Sequence, residues 1–303
     1  MSSLRRDAVR VVVPATSANL GPGFDSAGLA LGLHDELVAM VSEDPGVLVE
    51  VDGEGAGTVP RDEGNLVAQC MQLAFDWLGV APAGFVLRCT NRIPQGRGLG
   101  SSAAAIVGGL ALGRALVDDG AERMTDSDLL QVALTLESHP DNLSAAIFGG
   151  FTVAWLEPDG LADCVRLDVH EAVRPVVMVP GGSLATSTAR SLLPADVPIG
   201  DATANLARYA LLVHALTSDP SRLMTATDDR IHQRRRAGVY PESVALVDRL
   251  RAQGIPAAIS GAGPSVIAFA ELSTVDAASA AAGEGWAAAA LPVSAHGVRS
   301  VPL

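Results

Sequence analysis

The chain has 303 residues, of which 49% are hydrophobic and 18% are charged, and its formal net charge is −13. This length and composition allow a large core and exclude an intrinsically disordered chain. The acidic balance, with no basic stripe beyond Arg234–Arg236, predicts no nucleic-acid partner. All 21 basic residues are arginine, which excludes a Schiff-base lysine, a lysine general base and a GxxxxGK phosphate loop.

The cysteines and the apolar runs indicate the cellular compartment. Cys70, Cys89 and Cys164 are scattered without a CxxC pair, which argues against a disulfide framework or a zinc site. The apolar run 9–13 is too short for a signal peptide, and the run 103–116 is too short to cross a bilayer and contains an arginine. We therefore expect a cytoplasmic protein with no membrane partner.

Apolar periodicity predicts interleaved strands and helices along the first half of the chain. Strands are expected at 9–13, 47–51, 85–90 and 151–156. Helices are expected at 65–78, 102–116 and 124–137. The run 26–41 has a period that leaves strand and helix open.

The second half continues the same alternation after a change of character near 160–172. Helices are expected at 186–194, 203–217, 243–253 and 273–282. Strands are expected at 176–179 and 291–298, with a strand, a glycine turn and a second strand in 256–272. Interleaving of this kind predicts an α+β or α/β fold.

The stretch 94–102, PQGRGLGSS, alternates three glycines with other residues between a predicted strand and a predicted helix. Glycines let backbone N–H groups turn toward a bound ligand. The start of a helix presents unpaired N–H groups and the positive end of the helix dipole. Two serine hydroxyls and the charge of Arg97 complete a cradle for a polyphosphate.

Two alternatives remain open for the same stretch. One is a glycine turn with a serine cap that serves only tight packing of the strand on the helix. The other is a dinucleotide-binding fingerprint, which the sequence half matches. Asp118 and Asp119 lie at the distance that the fingerprint requires of an acidic residue, but they follow a helix directly.

Three glycine-rich stretches together resemble the GHMP kinases: PATSANLGPGFDSAGLAL near the start, the central loop, and SGAGPS near the end. The central motif at 94–104 matches the family pattern P-x-x-x-G-L-G-S-S-A-A at every position. The resemblance covers nearly the whole chain. It implies an α+β, two-domain GHMP kinase architecture, with a ribosomal S5 domain-2-like ATP-binding domain at 1–168 and a ferredoxin-like domain at 169–303.

Four stretches resemble the homoserine kinase family within that superfamily: SANLGPGFD, HPDN, TSTARSLLP and HQRRRAGVYP. The last is looser, because Arg235 stands where an aromatic residue is more common, and alignment favours Arg236 as the inward-facing arginine. The resemblance implies ATP- and Mg²⁺-dependent phosphorylation of the L-homoserine hydroxyl to O-phospho-L-homoserine, in threonine biosynthesis. It also implies a homodimer.

The resemblance implies a role for each matching residue. The nucleotide would be bound by the loop residues Pro94, Gln95, Gly96, Arg97, Gly98, Leu99, Gly100, Ser101, Ser102 and Ala103. The metal would be bound by Ser102 and Glu137, whose hard oxygens suit Mg²⁺. The acceptor would be bound by Asn19, Asp25, His139, Asp141, Asn142, Arg190, Arg236 and Gly261. Asp141 and Arg190 are the predicted catalytic residues, with Asp141 as partner of the hydroxyl and arginines for the carboxylate.

Two other functions remain as hypotheses. The first is another small-molecule GHMP kinase, acting on a mevalonate-type substrate or a sugar. Arg190 and Arg236 distinguish homoserine from mevalonate only partly, because mevalonate also has a carboxylate. Acidic residues that bind an ammonium group distinguish these substrates better. The second is a catalytically silent ligand sensor on the same fold, against which the intact loop, Ser102 and Glu137 argue.

Overall fold

The computed structural model describes residues 3–183 and 186–303. Its first part contains, in chain order, β1 (Val9–Asn19), β2 (Gly23–Ser42), β3 (Gly46–Gly53), α1 (Leu66–Leu78), β4 (Gly84–Asn91), α2 (Ser101–Ala115), α3 (Gly120–Arg123), α4 (Asp126–Leu134), α5 (Pro140–Phe148), β5 (Phe151–Leu156) and β6 (Ala162–Leu167). The remainder contains β7 (Arg174–Pro180), α6 (Thr186–Arg190), α7 (Ile199–Thr217), α8 (Leu223–Ala226), α9 (Pro241–Ala252), β8 (Ala257–Ile259), β9 (Val266–Ala270), α10 (Val275–Ala280), β10 (Trp286–Ala290) and β11 (Arg299–Val301).

The strands form two sheets. The seven-stranded sheet has the order β11-β1-β2-β4-β3, with β5 paired to β2 and β6 paired to β5. Among its described strands only the β3–β4 pair is parallel, and α1 makes the crossover between these two strands. The four-stranded sheet is antiparallel throughout, in the order β10-β7-β9-β8. The chain therefore leaves the first sheet after β6 and returns to it with β11.

The long run that periodicity left open is the strand β2. Its pairing with β1, β4 and β5 fixes it as a strand along its length. Register shifts in the β1 pairing, after Pro14 and after Ala18, bend this hairpin where it reaches the site. The strand expected at 291–298 is wrong in position, because the last strand pairs at Arg299–Val301.

Local sequence signals explain two of the helices. Asn65 accepts a hydrogen bond from the Val67 amide at 3.0 Å and begins α1, and Gly79, with φ of 64°, ends it. Thr125 and Asp128 form a reciprocal capping box at the start of α4. This helix ends at Leu134, so Glu137, which was expected inside it, lies in the turn before α5.

One apolar core runs through both sheets. It contains Leu29, Leu110 and Phe151 from the first sheet and its helices, and continues to Ile267 and Phe269 in β9. A second, smaller cluster lies between β7, β9 and α9. Shared packing of this kind holds the two sheets in one arrangement, which fixes the walls of the cleft between them.

Helices α1 and α2 approach each other closely through a glycine of α2. A Cβ added to Gly109 would lie 2.5 Å from the Val67 carbonyl oxygen, a distance that real Cβ atoms essentially never show. By contrast, Gly200 in the first turn of α7 has open space around it.

We expect Gly109→Ala to lower the free energy of unfolding by about 1–3 kcal/mol, because the added methyl group overpacks the helix pair. Gly200→Ala, the matched control, should be neutral or stabilise by up to about 1 kcal/mol, because alanine has the higher helix propensity. Urea denaturation followed by circular dichroism measures both. Equal effects at the two positions would contradict the packing argument.

Candidate active site

The glycine loop follows β4 and is pressed between two distant segments. Gly98 and Gly100 have left-handed φ values of 77° and 69°. A Cβ on Gly98 would lie 2.3 Å from the Ser260 carbonyl oxygen, and one on Gly100 would lie 1.9 Å from Thr16 Oγ1. Ser260 Oγ also donates to the Gly98 carbonyl at 2.6 Å. Only glycine permits both the conformation and the approach, so the loop is held rigidly.

Helix α2 begins where this loop ends. Its N-cap is Gly100, and in the described part of the chain no side chain caps the helix and no acidic residue lies in its first turn. The first amides of this 15-residue helix are therefore free to donate hydrogen bonds, and they lie at the positive end of the helix dipole. This helix start lines a cleft, where it presents a binding site for an anion.

The cleft gathers residues from both sheets. Of the residues predicted for the site, those that line it are Asn19, Asp25, Gly96, Arg97, Gly98, Leu99, Gly100, Ser101, Ser102, Ala103, Glu137, His139, Asp141, Asn142, Arg190, Arg236 and Gly261. Two predicted nucleotide residues lie elsewhere: Gln95 borders an adjoining pocket, and Pro94 borders an apolar groove.

Arg97 lies in the cleft wall, but its guanidinium is engaged by the protein. It donates to the carbonyl groups of Pro180 at 3.2 Å and Gly181 at 3.1 Å, and lies 3.7 Å from a Glu54 carboxylate oxygen. The sequence analysis predicted that this arginine supplies a positive charge to bound phosphate. In the structure its hydrogen bonds tie the loop to the end of β7.

Asp25 and Arg190 form a bidentate ion pair at the cleft surface, with N–O distances of 2.7 and 3.1 Å. The hairpin between β1 and β2 supplies Asp25 in a left-handed conformation, with φ of 57°. Asn19 accepts a hydrogen bond from the Asp25 amide and donates to the Gly261 carbonyl at 2.8 Å. Asn19 therefore links the Asp25 backbone to the turn between β8 and β9.

Arg236 is the arginine of the triplet that lines the cleft. Its side chain is almost fully buried, at 2% exposure, whereas Arg234 and Arg235 are exposed and Arg234 pairs with Asp248. The Arg236 guanidinium donates to the Ala189 carbonyl at 3.0 Å. Among the described residues no carboxylate lies within 4.0 Å of it, so a buried positive charge faces the cleft without an ionic partner.

The two residues predicted to bind the metal both line the cleft and carry oxygen donors that suit Mg²⁺. Ser102 lies in the first turn of α2, and Glu137 lies in the turn between α4 and α5. Glu137 Oε1 accepts a 2.6 Å hydrogen bond from His139 Nδ1, and this bond raises the pKa of His139. A hydroxyl and a carboxylate fit a cation that takes few protein ligands and keeps several waters.

Asp141 is buried at the start of α5. The helix approaches β2 through Gly28, where an added Cβ would lie 2.2 Å from the Asp141 carbonyl oxygen. Burial raises the pKa of Asp141 to about 7, although its Oδ1 accepts a 2.7 Å hydrogen bond from the Asn142 amide. Asn142 in turn accepts from Thr16 Oγ1, so the carboxyl is fixed next to the glycine loop.

Known proteins decide the family. The sequence models described as "GHMP kinases N terminal domain" and "GHMP kinases C terminal" match residues 65–150 and 211–288, together more than half of the chain. Homoserine kinases of Streptomyces avermitilis and Streptomyces coelicolor are each 52% identical over 301 residues. The match covers 99% of this chain and 98% and 97% of theirs. The chain belongs to the homoserine kinase family of the GHMP kinases.

A solved structure agrees with this membership. The homoserine kinase from Cytophaga hutchinsonii superposes with a TM-score of 0.86 at 26% identity, and 99% of each chain is covered. The predicted α+β, two-domain architecture of the GHMP kinases is thereby confirmed. The boundary at residue 168 falls between β6 and β7 and stays a prediction, as does the cytoplasmic location. In the described part of the chain no helix is long and apolar enough to cross a membrane.

A second pocket adjoins the cleft of this homoserine kinase family member. It shares Gly96, Ser101 and Ser102 with the cleft and extends along the segment 59–67 to Asn91. The Asn65 side-chain amide bonds the backbone at both ends: it accepts from the Val67 amide and donates to the Pro60 carbonyl. The walls are mostly apolar side chains and backbone, so no motif in the sequence marked them.

The raised pKa of Asp141 has a consequence for stability. The folded carboxyl holds its proton up to about pH 7, whereas an unfolded aspartic acid loses it near about pH 4. Its contribution to the free energy of unfolding is therefore fully present below about pH 4 and is lost as the pH rises toward 7.

Asp141→Asn cannot ionise. We therefore expect its free energy of unfolding, relative to that of the native chain, to rise by on the order of 2 kcal/mol from pH 5.5 to pH 8. Urea denaturation midpoints at both pH values give the difference. Asp128→Asn is the matched control. The Thr125 hydrogen bonds lower the pKa of half-buried Asp128, which is ionised throughout this range, so the effect of its substitution should not change with pH. A pH-independent Asp141→Asn effect would exclude a buried, proton-holding carboxyl.

Proposed function

We propose that the protein is an ATP-dependent homoserine kinase, which transfers the γ-phosphoryl group of ATP to the side-chain hydroxyl of L-homoserine and forms O-phospho-L-homoserine. The observation that carries the proposal is the cleft itself. It combines an uncapped helix start for phosphates with two arginines and an aspartate for a zwitterion, next to a buried carboxyl. Full-length identity of about half to homoserine kinases supports the same reaction.

The triphosphate lies along residues 96–102 in this proposal. The open amides of Ser101, Ser102 and Ala103 meet phosphate oxygens at the positive end of α2. The base of the nucleotide occupies the adjoining pocket, because that pocket is mostly apolar and opens onto the same serines. Gln95, which borders that pocket, stays a predicted nucleotide residue, and the role of Pro94 is untested.

Ser102 and Glu137 hold the Mg²⁺ that accompanies ATP. When bound, the ion neutralises charge that develops on the phosphate oxygens. The hydrogen bond from His139 holds the Glu137 carboxylate, which lines the same cleft as Ser102.

The acceptor binds as a zwitterion. Its carboxylate lies between the guanidinium groups of Arg190 and Arg236, and its ammonium group meets Asp25, whose backbone Asn19 holds. In the free protein Asp25 and Arg190 satisfy each other. A zwitterion offers each of them the opposite charge, so it binds at this pair without leaving either unpaired.

Asp141 orients the acceptor hydroxyl and takes its proton at a carboxylate oxygen as the phosphoryl group leaves ADP. A pKa of about 7 makes this carboxyl more basic than an exposed aspartate. Because the transition state for phosphoryl transfer is loose, positioning by Asp141 and charge stabilisation by Arg190 carry most of the catalysis. Homodimer formation is a further prediction on which this mechanism does not depend.

The direct test is ADP release by the purified chain with ATP and Mg²⁺, with L-homoserine, mevalonate and galactose compared side by side. We expect kcat/KM for L-homoserine to exceed that for either other acceptor by at least about 10³, because only the amino acid pairs with Asp25 as well as the arginines. Preference for mevalonate or galactose would reassign the substrate. No ADP release with any of them would favour a silent sensor.

The metal assignment has its own test. Glu137→Gln keeps an oxygen acceptor for His139 but loses the charge that attracts a cation, so the Mg²⁺ concentration for half-maximal activity should rise by about tenfold or more. Glu43→Gln, which changes a highly exposed glutamate paired with Arg6, is the control and should leave that concentration unchanged. An unchanged Mg²⁺ requirement in Glu137→Gln would remove this residue from the metal site.

A further inference from the structure

The Phe24 ring is contacted by three cationic or ionisable side chains at once. The guanidinium carbons of Arg190 and Arg236 lie 5.3 and 5.6 Å from the ring centroid. The His232 ring lies 5.1 Å away, tilted by 37°. Both arginines line the cleft, whereas Phe24 is not among the described residues that line it. The aromatic ring therefore contacts the two proposed carboxylate-binding groups without belonging to the binding surface.

The local backbone explains how Phe24 and Asp25, which are consecutive, both contact Arg190. In a regular strand successive side chains point to opposite faces. Asp25 has a left-handed φ of 57°, which interrupts that alternation. One guanidinium thus receives an aromatic ring from one residue and a bidentate carboxylate from the next.

The Phe24 ring stabilises Arg236 more than Arg190, because Arg190 already pairs with the Asp25 carboxylate. The Arg236 charge is buried, and apart from the ring its partners are the Ala189 carbonyl, His232 Nδ1 at 3.4 Å and the Tyr240 side chain. Burial lowers the pKa of His232, so this ring is neutral. Its Nε2 donates to the Gly21 carbonyl at 2.7 Å, which leaves Nδ1 as the acceptor for Arg236. Each of these partners is uncharged, and the negative face of Phe24 adds an attractive interaction.

We propose that Phe24 is a positioning residue, which holds the Arg190 and Arg236 guanidinium groups side by side for the acceptor carboxylate; this role rests on the proposed function. Two like charges attracted to one ring stay close to each other without a carboxylate between them. The acceptor then meets two arginines already in place. Phe24 sets the affinity for the carboxylate and leaves the nucleotide site unaffected.

Phe24→Leu tests this role by steady-state kinetics with each substrate varied in turn. We expect KM for L-homoserine to rise about fivefold to thirtyfold, the range of cation–π interactions converted to affinity. KM for ATP should stay within about twofold, and kcat should fall by a smaller factor than KM for L-homoserine rises, because Asp25 still pairs with Arg190. An acceptor without the carboxylate, 2-aminobutane-1,4-diol, should show the same KM with both proteins.

Shape and electronics are separated by a second set of variants. Phe24→Tyr and Phe24→Trp keep an electron-rich face and should restore KM to within about threefold of the native value. Fluorinated phenylalanines at position 24 keep the shape and weaken the ring face, so KM should rise with each added fluorine, even if Phe24→Leu folds poorly. Phe148→Leu removes another half-buried ring, which no guanidinium group of the described residues contacts, and should leave KM unchanged.

The outcomes distinguish the two proposals. If the native chain phosphorylates L-homoserine and neither Phe24→Leu nor the fluorinated series changes its KM, the positioning role is overturned and the kinase function stands. The role is also overturned if the diol and L-homoserine lose affinity equally, because the effect would then not concern the carboxylate. A native chain that does not phosphorylate L-homoserine overturns both proposals.

Discussion

Close packing of a glycine loop against two distant segments is the constraint on which the rest of the site depends. Gly98 meets the carbonyl of Ser260 and Gly100 meets the hydroxyl of Thr16, each at a distance that forbids a side chain. The loop is therefore fixed by tertiary packing rather than by its own hydrogen bonds alone. This packing sets where α2 begins and leaves its first amides open to the cleft, a polar surface that an anion satisfies.

Several residues around the start of α2 have conformations or buried charges that lower the stability of the fold. Asn19 and Asp25 adopt left-handed conformations that are unfavourable for residues other than glycine. Asp141 is a buried carboxyl, and Arg236 is a buried cation for which the described residues provide no carboxylate partner. Groups of this kind lower stability and are retained where they act on a ligand. Their concentration in a single cleft is the physical reason to regard that cleft as the place of chemistry.

Motif reasoning predicted the residues that line the cleft well, because glycine spacing, Asp-Asn pairs and arginine positions are written locally in the chain. It did less well where long-range contacts decide. The run 26–41 becomes a strand only through its three partners, and the last strand follows from pairing with β1. The burial of Asp141 depends on Gly28, more than a hundred residues away, and the engagement of Arg97 depends on β7. Phe24 lies within the SANLGPGFD stretch but carries no charge, so the sequence did not indicate its contact with two arginines.

The most direct measurement is a crystal structure with a non-hydrolysable ATP analogue, Mg²⁺ and L-homoserine. We expect phosphate oxygens at about 2.7–3.2 Å from the amide nitrogens at the start of α2, with the amino-acid carboxylate between Arg190 and Arg236. A triphosphate bound away from the glycine loop, or a carboxylate outside the reach of both arginines, would contradict the proposed site.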